Sequence, residues 1–157
     1  MHSNEYDYKC DHIQIMKRIK WAVMNGINTC ILTGTGEALQ NKAFLKTLVE
    51  IFKDMNYPFP NTELQTTGVL LDDENLVLLK DLGVNTISLS ISDLFNDDNN
   101  ADIIGISEKL KFKLPYICEL IRAHGFNLRL SLNMTNAFDE ISPINLFIKM
   151  YQLKPIK

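Results

Sequence analysis

The segment Thr33-Gly34-Thr35-Gly36-Glu37 combines two glycines with a carboxylate within five residues. Glycine has no side chain, so the backbone at Gly34 and Gly36 can approach a ligand closely. Free backbone C=O and N–H groups beside the carboxylate of Glu37 suit a ligand that carries an ammonium group. We therefore predict a binding site here, and a tight strand-to-helix connection is the structural alternative.

Two common phosphate-binding motifs fit the same segment poorly. Gly34 and Gly36 supply the first two glycines of the GxGxxG dinucleotide fingerprint, but Leu39 occupies the third place. A P-loop also fails, because the Lys-Ser/Thr ending is absent. Binding of a phosphate ester at the Gly34–Gly36 turn remains open as an alternative function.

Three later segments are also crowded with small and polar residues. In chain order they are Thr66-Thr67-Gly68, residues 88–93 and residues 131–136. Thr66, Ser88 and Ser90 either contact a ligand or are small residues that fill the inside of a barrel. Arg129 lies among apolar neighbours, so we expect it to bind a ligand carboxylate or to pair with a carboxylate of the chain.

The elements that carry these segments alternate along the chain. Short β-branched runs are each followed by a stretch with helical apolar spacing, which is typical of β/α units and a parallel sheet. The predicted strands are 28–32, 63–66, 85–91 and 126–132. The five predicted helices start after Asp11, at about residue 42, after Asp72, near Pro115 and near Ser142-Pro143. The polar stretch 93–102 is predicted to be a loop.

This alternation places the polar segments at one edge of the predicted sheet. In parallel α/β sheets and β/α barrels, ligands bind at the carboxyl ends of the strands. Each polar segment stands at or just after the end of a predicted strand. The sequence therefore predicts one α/β domain over residues 1–157, with its binding site at the carboxyl ends of four strands.

Four segments together resemble the radical S-adenosylmethionine (SAM) superfamily. Residues 31–39 resemble its second-strand motif, usually GGE followed by Pro and Leu, and residues 66–71 resemble its third-strand TNG motif. Residues 81–90 are similar to the fourth unit, where a helix ends in Gly before a strand of SxD type. Residues 124–133 are similar to the fifth strand, and the resemblance runs from about residue 12 to 136.

The resemblance implies a partial parallel β/α (TIM-like) barrel of radical SAM type, reduced to strands two to five. It implies SAM as the cofactor, with Gly34, Gly36 and Glu37 near the methionine amine. Ser90, Arg129 and Asn133 would lie near the ribose or carboxylate of SAM. The full set of implied SAM-binding residues is Thr33, Gly34, Thr35, Gly36, Glu37, Thr66, Ser88, Ser90, Arg129 and Asn133.

The cysteines depart from the family pattern. The family holds a 4Fe–4S cluster with a CxxxCxxC loop, whereas this chain has three widely separated cysteines, Cys10, Cys30 and Cys118. Cys10 falls roughly where the residues after that loop would lie and is the one metal-ligand candidate. Without the cluster we expect no radical chemistry from this chain alone. The chain either needs a second chain that supplies the cluster or completes the barrel, or is a non-catalytic interaction module.

Composition limits the remaining function classes. A formal net charge of −3 disfavours nucleic acid as a partner, because phosphate backbones are bound by basic surfaces. The N-terminus is polar and acidic, and no run of 18 apolar residues follows, so neither a signal peptide nor a membrane span is predicted. We expect a cytoplasmic protein.

Overall fold

The protein has an α/β fold built around one parallel sheet. The computed structural model describes residues 11–34 and 36–153 of the 157-residue chain. The strands are β1 (Thr29–Leu32), β2 (Asn61–Thr66), β3 (Thr86–Ile91) and β4 (Asn127–Leu132). The helices are α1 (His12–Met24), α2 (Lys42–Asp54), α3 (Asp73–Asp81), α4 (Asp97–Ile104), α5 (Leu114–Ala123) and α6 (Pro143–Gln152). Short 3₁₀ turns cover Ala38–Gln40, Glu108–Leu110 and Asn136–Phe138.

The strands follow one another across the sheet in the order in which they occur in the chain. All three pairings are parallel, and Leu64 of β2 lies level with Leu32 on one side and Ile87 on the other. A doubly wound sheet reverses its strand order part-way, and no reversal occurs among these four strands. The predicted parallel four-strand sheet is confirmed, and the carboxyl ends of its strands share one edge.

The two faces of the sheet differ in polarity because successive side chains of a strand point to opposite sides. One face carries Leu64, Ile87, Leu89 and Ile91, each at most 1% exposed. These residues form the core together with buried side chains of α2, α3 and α5, including Leu48, Phe52, Leu76, Leu79, Ile117 and Ile121. The opposite face, called the polar face below, carries Glu63, Gln65, Thr86, Ser88, Ser90, Asn127, Arg129 and Ser131.

Side-chain caps fix where the helices begin. The carboxylates of Asp11 and Asp72 accept hydrogen bonds from the backbone N–H groups of Gln14 and Asn75, as both predicted N-caps require. The hydroxyl of Ser142 caps α6 in the same way. The starts of these helices are therefore determined by residues that are close to them in the sequence. Among the described residues, no helix is both long and apolar enough to cross a lipid bilayer.

The prediction of a loop over residues 93–102 is wrong, because α4 occupies most of it. The side chain of Asn96 accepts hydrogen bonds from the N–H groups of Asp98 and Asn99, and the helix ends at Gly105 with a φ of 82°. The two aspartates of its first turn suit the helix dipole. The described residues thus contain six α-helices rather than the predicted five. The helix has only eight residues, so its apolar periodicity is weak.

Leu64 tests the placement of the core, since its side chain is 0% exposed at the centre of the sheet. We expect Leu64→Ala to lower the free energy of unfolding by about 2–5 kcal/mol, because it leaves a cavity. The matched control is Val77→Ala on α3, where the side chain is 56% exposed and the change should stay within about 0.5 kcal/mol. Urea denaturation measures both. Equal losses at the two positions would contradict the assigned core.

Candidate functional site

The carboxylate of Glu37 connects the segment after β1 to the end of β2. Its Oε1 accepts a hydrogen bond from the hydroxyl of Thr66 at 2.6 Å. Its Oε2 accepts two from Thr67, one from the backbone N–H at 3.0 Å and one from the hydroxyl at 2.7 Å. The N–H of Leu39 approaches Oε1 at 3.4 Å, so Glu37 also caps the turn Ala38–Gln40. The first two predicted motifs therefore meet at one carboxylate.

This carboxylate retains capacity for a cationic ligand. A carboxylate offers about four lone-pair positions to donors, and the contact from Leu39 to Oε1 is long at 3.4 Å. Hydroxyl groups rotate freely about their C–O bonds, so Thr66 and Thr67 can redirect their protons when a stronger donor arrives. An ammonium group is such a donor, since charge-assisted hydrogen bonds are roughly twice as strong as neutral ones.

The surroundings of the two glycines in the first segment leave space for a Cβ atom at both positions. Gly34 does not have a positive φ, and a Cβ on Gly34 would come no closer than 3.8–3.9 Å to the backbone of Gly36 and Ala38. A Cβ on Gly36 would lie 3.7 Å from the side chain of Gln40, which is ordinary van der Waals contact. Both glycines are exposed, as is Thr33, whereas the predicted site residue Thr35 lies outside the described residues.

Gly68, in the second motif, has a different role. Its φ is +90°, and a Cβ there would lie 3.1 Å from Leu89 Cδ2 and 3.3 Å from Phe112 Cζ. Its N–H donates to the hydroxyl of Thr66 at 3.0 Å, the same hydroxyl that donates to Glu37. Glycine is therefore needed at position 68 for the turn itself, because a side chain there would be both strained and crowded.

A second polar group joins the ends of β3 and β4. The side-chain amide of Asn133 donates to the hydroxyl of Ser92 at 3.1 Å, and the hydroxyl of Thr135 donates to the carbonyl of Ser92 at 2.7 Å. The Oδ1 atom of Asn100 accepts from the N–H groups of Ser92 and Asp93. Within the described ranges, no hydrogen bond joins this group to the one around Glu37. Sequence reasoning singled out Asn133 but not Asn100, which reaches the strand ends from the unpredicted helix α4.

Asp93 is held as a carboxylate within this second group. Burial alone raises the pKa of Asp93, but hydrogen bonds from the side chain of Asn99 and the N–H groups of Phe95 and Asn96 outweigh it. The net effect lowers the pKa of Asp93 below its ordinary value. Asp93 thus orders the turn between β3 and α4 and has no proton to give at neutral pH.

Arg129 lies in the middle of the polar face and not at a strand end. Its Nη2 is 2.9 Å from Oε1 of Glu63, and its Nε donates to the hydroxyl of Ser88 at 3.2 Å. Of the two alternatives for Arg129, the ion pair with a carboxylate of the chain is formed. Glu63 was not among the predicted site residues, and its side chain is only 11% exposed, whereas that of Arg129 is 52% exposed.

The predicted site residues thus fall into three places. Glu37 and Thr66 are in direct contact, Ser88 and Arg129 are in direct contact, and Asn133 lies at the end of β4 against Ser92. Ser90 lies on the polar face, level with Ser131 of β4 and nearer to the carboxyl edge than Ser88.

The described cysteines behave as small buried side chains. Cys30 lies half-buried on β1 and Cys118 lies buried on α5. Burial raises the pKa of both thiols, that of Cys118 to about 11, so both stay protonated at neutral pH. Cys10 lies outside the described residues. In residues 11–34 and 36–153, no three His, Cys, Asp or Glu side chains are grouped so that they could hold a metal ion. The residues described do not fit a 4Fe–4S cluster.

A surface cleft of about 350 Å³ is lined by none of the predicted site residues. It lies between Asp98, Lys111, Phe112, Lys113 and Tyr116. Hydrogen bonds to Glu108 and Asp102 raise the pKa of Lys111, so this side chain stays protonated and its positive charge is balanced by the two carboxylates. Lys113 is paired with Asp97 in the same way, so both lysines of the cleft already have carboxylate partners. The strand ends, with a fixed carboxylate beside a bare backbone, have the more specific chemistry.

Comparisons with known proteins identify a relative but no family. No family model matches the chain. An uncharacterised protein of Methanocaldococcus jannaschii is 27% identical to it over 147 residues, a match that covers 85% of this chain and 50% of that protein. The chain therefore spans about half the length of the curated relative that it matches.

The contrast between Gly68 and Gly36 is testable by substitution with alanine. We expect Gly68→Ala to lower the free energy of unfolding by about 1–3 kcal/mol, because the new methyl group is overpacked at a positive φ. Gly36→Ala should leave stability unchanged or raise it by up to about 1 kcal/mol, since it restricts the unfolded chain. Thermal and urea unfolding measure both variants. A destabilised Gly36→Ala would mean that the first glycine segment serves the fold.

Asp93 should make stability depend on pH in a defined direction. Its pKa is lower in the folded chain than in the unfolded one, so its contribution is present above the ordinary carboxyl pKa of about 3.9. That contribution is lost as the pH falls through the folded pKa. Asp93→Asn should therefore cost about 1–3 kcal/mol at neutral pH, and the difference from wild type should shrink in acid.

The control for this experiment is Asp139→Asn, an exposed carboxylate outside the network. It should shift the free energy of unfolding by no more than about 0.5 kcal/mol. Urea denaturation across a pH series gives both differences. A cost at Asp93 that stays constant or grows in acid would contradict the proposed role of its carboxylate.

Proposed function

We propose that the carboxyl ends of β1 and β2 bind the methionine part of SAM, as in a radical SAM-like barrel wall. Three features support this proposal. The four strands are parallel and follow chain order across the sheet, the residues of the first two motifs lie at the carboxyl edge, and Glu37 is anchored directly to the second motif. The resemblance of the sequence motifs supplies the identity of the ligand.

The observation that carries the proposal is a fixed carboxylate beside glycines that the fold does not need. Thr66 and Thr67 hold the carboxylate of Glu37 in one position, so an amine ligand meets a preorganised acceptor. Gly34 and Gly36 leave the adjacent backbone bare although a Cβ would fit at both positions. A ligand that packs against this backbone explains their presence.

The other proposed contacts to SAM use polar groups that hydrogen bonds within the chain do not fully occupy. A guanidinium group has five N–H donors, and the bonds of Arg129 to Glu63 and Ser88 use two of its nitrogens. The side chain of Arg129 is half exposed, and its remaining N–H groups suit the carboxylate of SAM. Asn133 is exposed at the end of β4, and Ser90 faces the same side of the sheet, so both suit hydroxyl groups of the ribose.

The proposal stops at binding. Reductive cleavage of SAM needs a cluster, and the described residues do not fit one. We therefore assign to this chain the positioning of SAM and to a second, cysteine-bearing chain any radical step. A phosphate ester in the same turn is disfavoured, because the carboxylate of Glu37 would repel it.

Isothermal titration calorimetry with SAM tests the proposal. The wild-type chain should bind SAM, and Glu37→Gln should weaken binding about tenfold to a hundredfold, the worth of a charge-assisted hydrogen bond. Gly36→Ala should weaken binding at least about tenfold through contact with the ligand, while its unfolding temperature equals or exceeds that of wild type. This second variant separates loss of the site from loss of the fold.

Glu50→Gln serves as the matched control, since Glu50 is an exposed carboxylate on α2. It should bind SAM as the wild type does. Titration with a phosphate monoester in place of SAM tests the alternative ligand. Absence of SAM binding, or binding by Gly36→Ala equal to wild type, would overturn the proposal, and binding of the phosphate ester alone would replace it.

A further inference from the structure

Both lateral edges of the sheet are unpaired in the described part of the chain. β1 pairs only with β2, and β4 pairs only with β3. Each edge strand presents a row of backbone N–H and C=O groups that can pair with a further strand. Closure into a barrel removes such edges, so unpaired edges on both sides leave room for further strands.

The helix at the β1 end exposes large apolar side chains. α1 contains no buried residue, and Trp21 and Met24 are 70% and 77% exposed. On the adjacent strand β1, Ile31 lies level with Glu63 on the polar face and is 50% exposed, so the apolar side chains at this end that face outward are those of α1. In a β/α barrel such residues pack against the preceding unit, and here that position is open.

The helix at the β4 end has the same property. α6 also contains no buried residue, and Ile144 and Phe147 are 71% and 67% exposed. Leu146, on the same helix, packs against the core, which fixes α6 beside the last strand. The molecule therefore has two apolar ends, one beside each unpaired strand edge, and apolar patches of this kind mark interaction sites.

We propose that a second copy of this chain covers both ends at once. The β4 edge of one copy pairs with the β1 edge of the other, and we call this contact a seam. The two-fold axis repeats the seam on the opposite side, so the dimer has two. Two copies of the four-strand sheet give eight parallel strands, the number that closes a β/α barrel. Closure removes every open edge, and each α6 packs against the α1 helix of the partner copy.

Charge favours this head-to-tail contact over pairing of like ends. α1 carries Lys17, Arg18 and Lys20 and no carboxylate, so two α1 helices repel each other. α6 carries a single charged residue, Lys149, and follows the exposed pair Asp139 and Glu140. A basic helix therefore meets a nearly neutral one that is preceded by acidic residues.

The polar face is compatible with the inside of such a barrel. The charge of Glu63 is balanced by Arg129 within each copy, so two copies bring no net charge together there. The matched relative is about twice as long as the matched segment, since the match covers 50% of it. That length leaves room in one chain for as much sequence again as the four-strand unit.

Size-exclusion chromatography with light scattering on the full chain tests this inference, which does not depend on SAM binding. The expected mass is twice the 18.0 kDa of one chain. Trp21→Glu on α1 and Phe147→Glu on α6 should each give a monomer, because each places a charge in both seams. Val77→Glu, on the exposed surface of α3 in the middle of the wall, should remain a dimer.

Mixing the two monomeric variants gives a more specific result. A pair made of one Trp21→Glu chain and one Phe147→Glu chain has one seam without any substitution, so the mixture should regain dimer. A monomeric wild type would overturn the inference. So would a dimer that Trp21→Glu leaves intact, because that dimer would not use the β1 end. Circular dichroism of each variant verifies that it is folded.

Discussion

The bridge from Glu37 to Thr66 and Thr67 is the interaction on which the candidate site depends. Glu37 follows β1 directly, and its carboxylate is the point at which the first glycine segment is tied to the neighbouring strand. The same bonds fix the direction in which the carboxylate faces, and its longest contact is the one from the N–H of Leu39. The side chain of Glu37 therefore both anchors the segment after β1 and supplies the negative charge of the candidate site. A ligand can pack against the backbone of Gly34 and Gly36 only because this segment is anchored.

The polar face follows from the period-two pattern of the strands together with one ion pair. The pattern that buries Leu64 and Ile87 against the helices places Glu63 and Ser88 on the other side. Glu63 is largely shielded from water, so an unpaired charge there would be costly, and the guanidinium of Arg129 offsets that cost. The face is consequently neutral yet accessible, because Arg129 itself remains half exposed.

The parts of the fold that were predictable are those with local signals. Asp11 and Asp72 cap helices through residues three positions away, so spacing alone identifies them. α4 was missed because its cap, Asn96, lies in a run of polar residues with almost no apolar periodicity. The partner of Arg129 could not be read from sequence, since Glu63 lies on a strand that is not even adjacent to β4. Strand register decides that contact, and no short motif encodes register.

The proposed ligand binding and the proposed assembly use different edges of the same sheet, so one does not obstruct the other. Ligands approach the carboxyl edge, where Glu37 and Asn133 lie, whereas a further strand pairs along β1 or β4 at the sides. The proposed barrel closure would also complete such a site, because a sheet of four strands leaves a ligand at its edge open to water on one side. Water weakens every electrostatic contact to a ligand ammonium, and a closed barrel mouth excludes much of it. The carboxylate of Glu37 would then act in a less polar environment than the single chain provides.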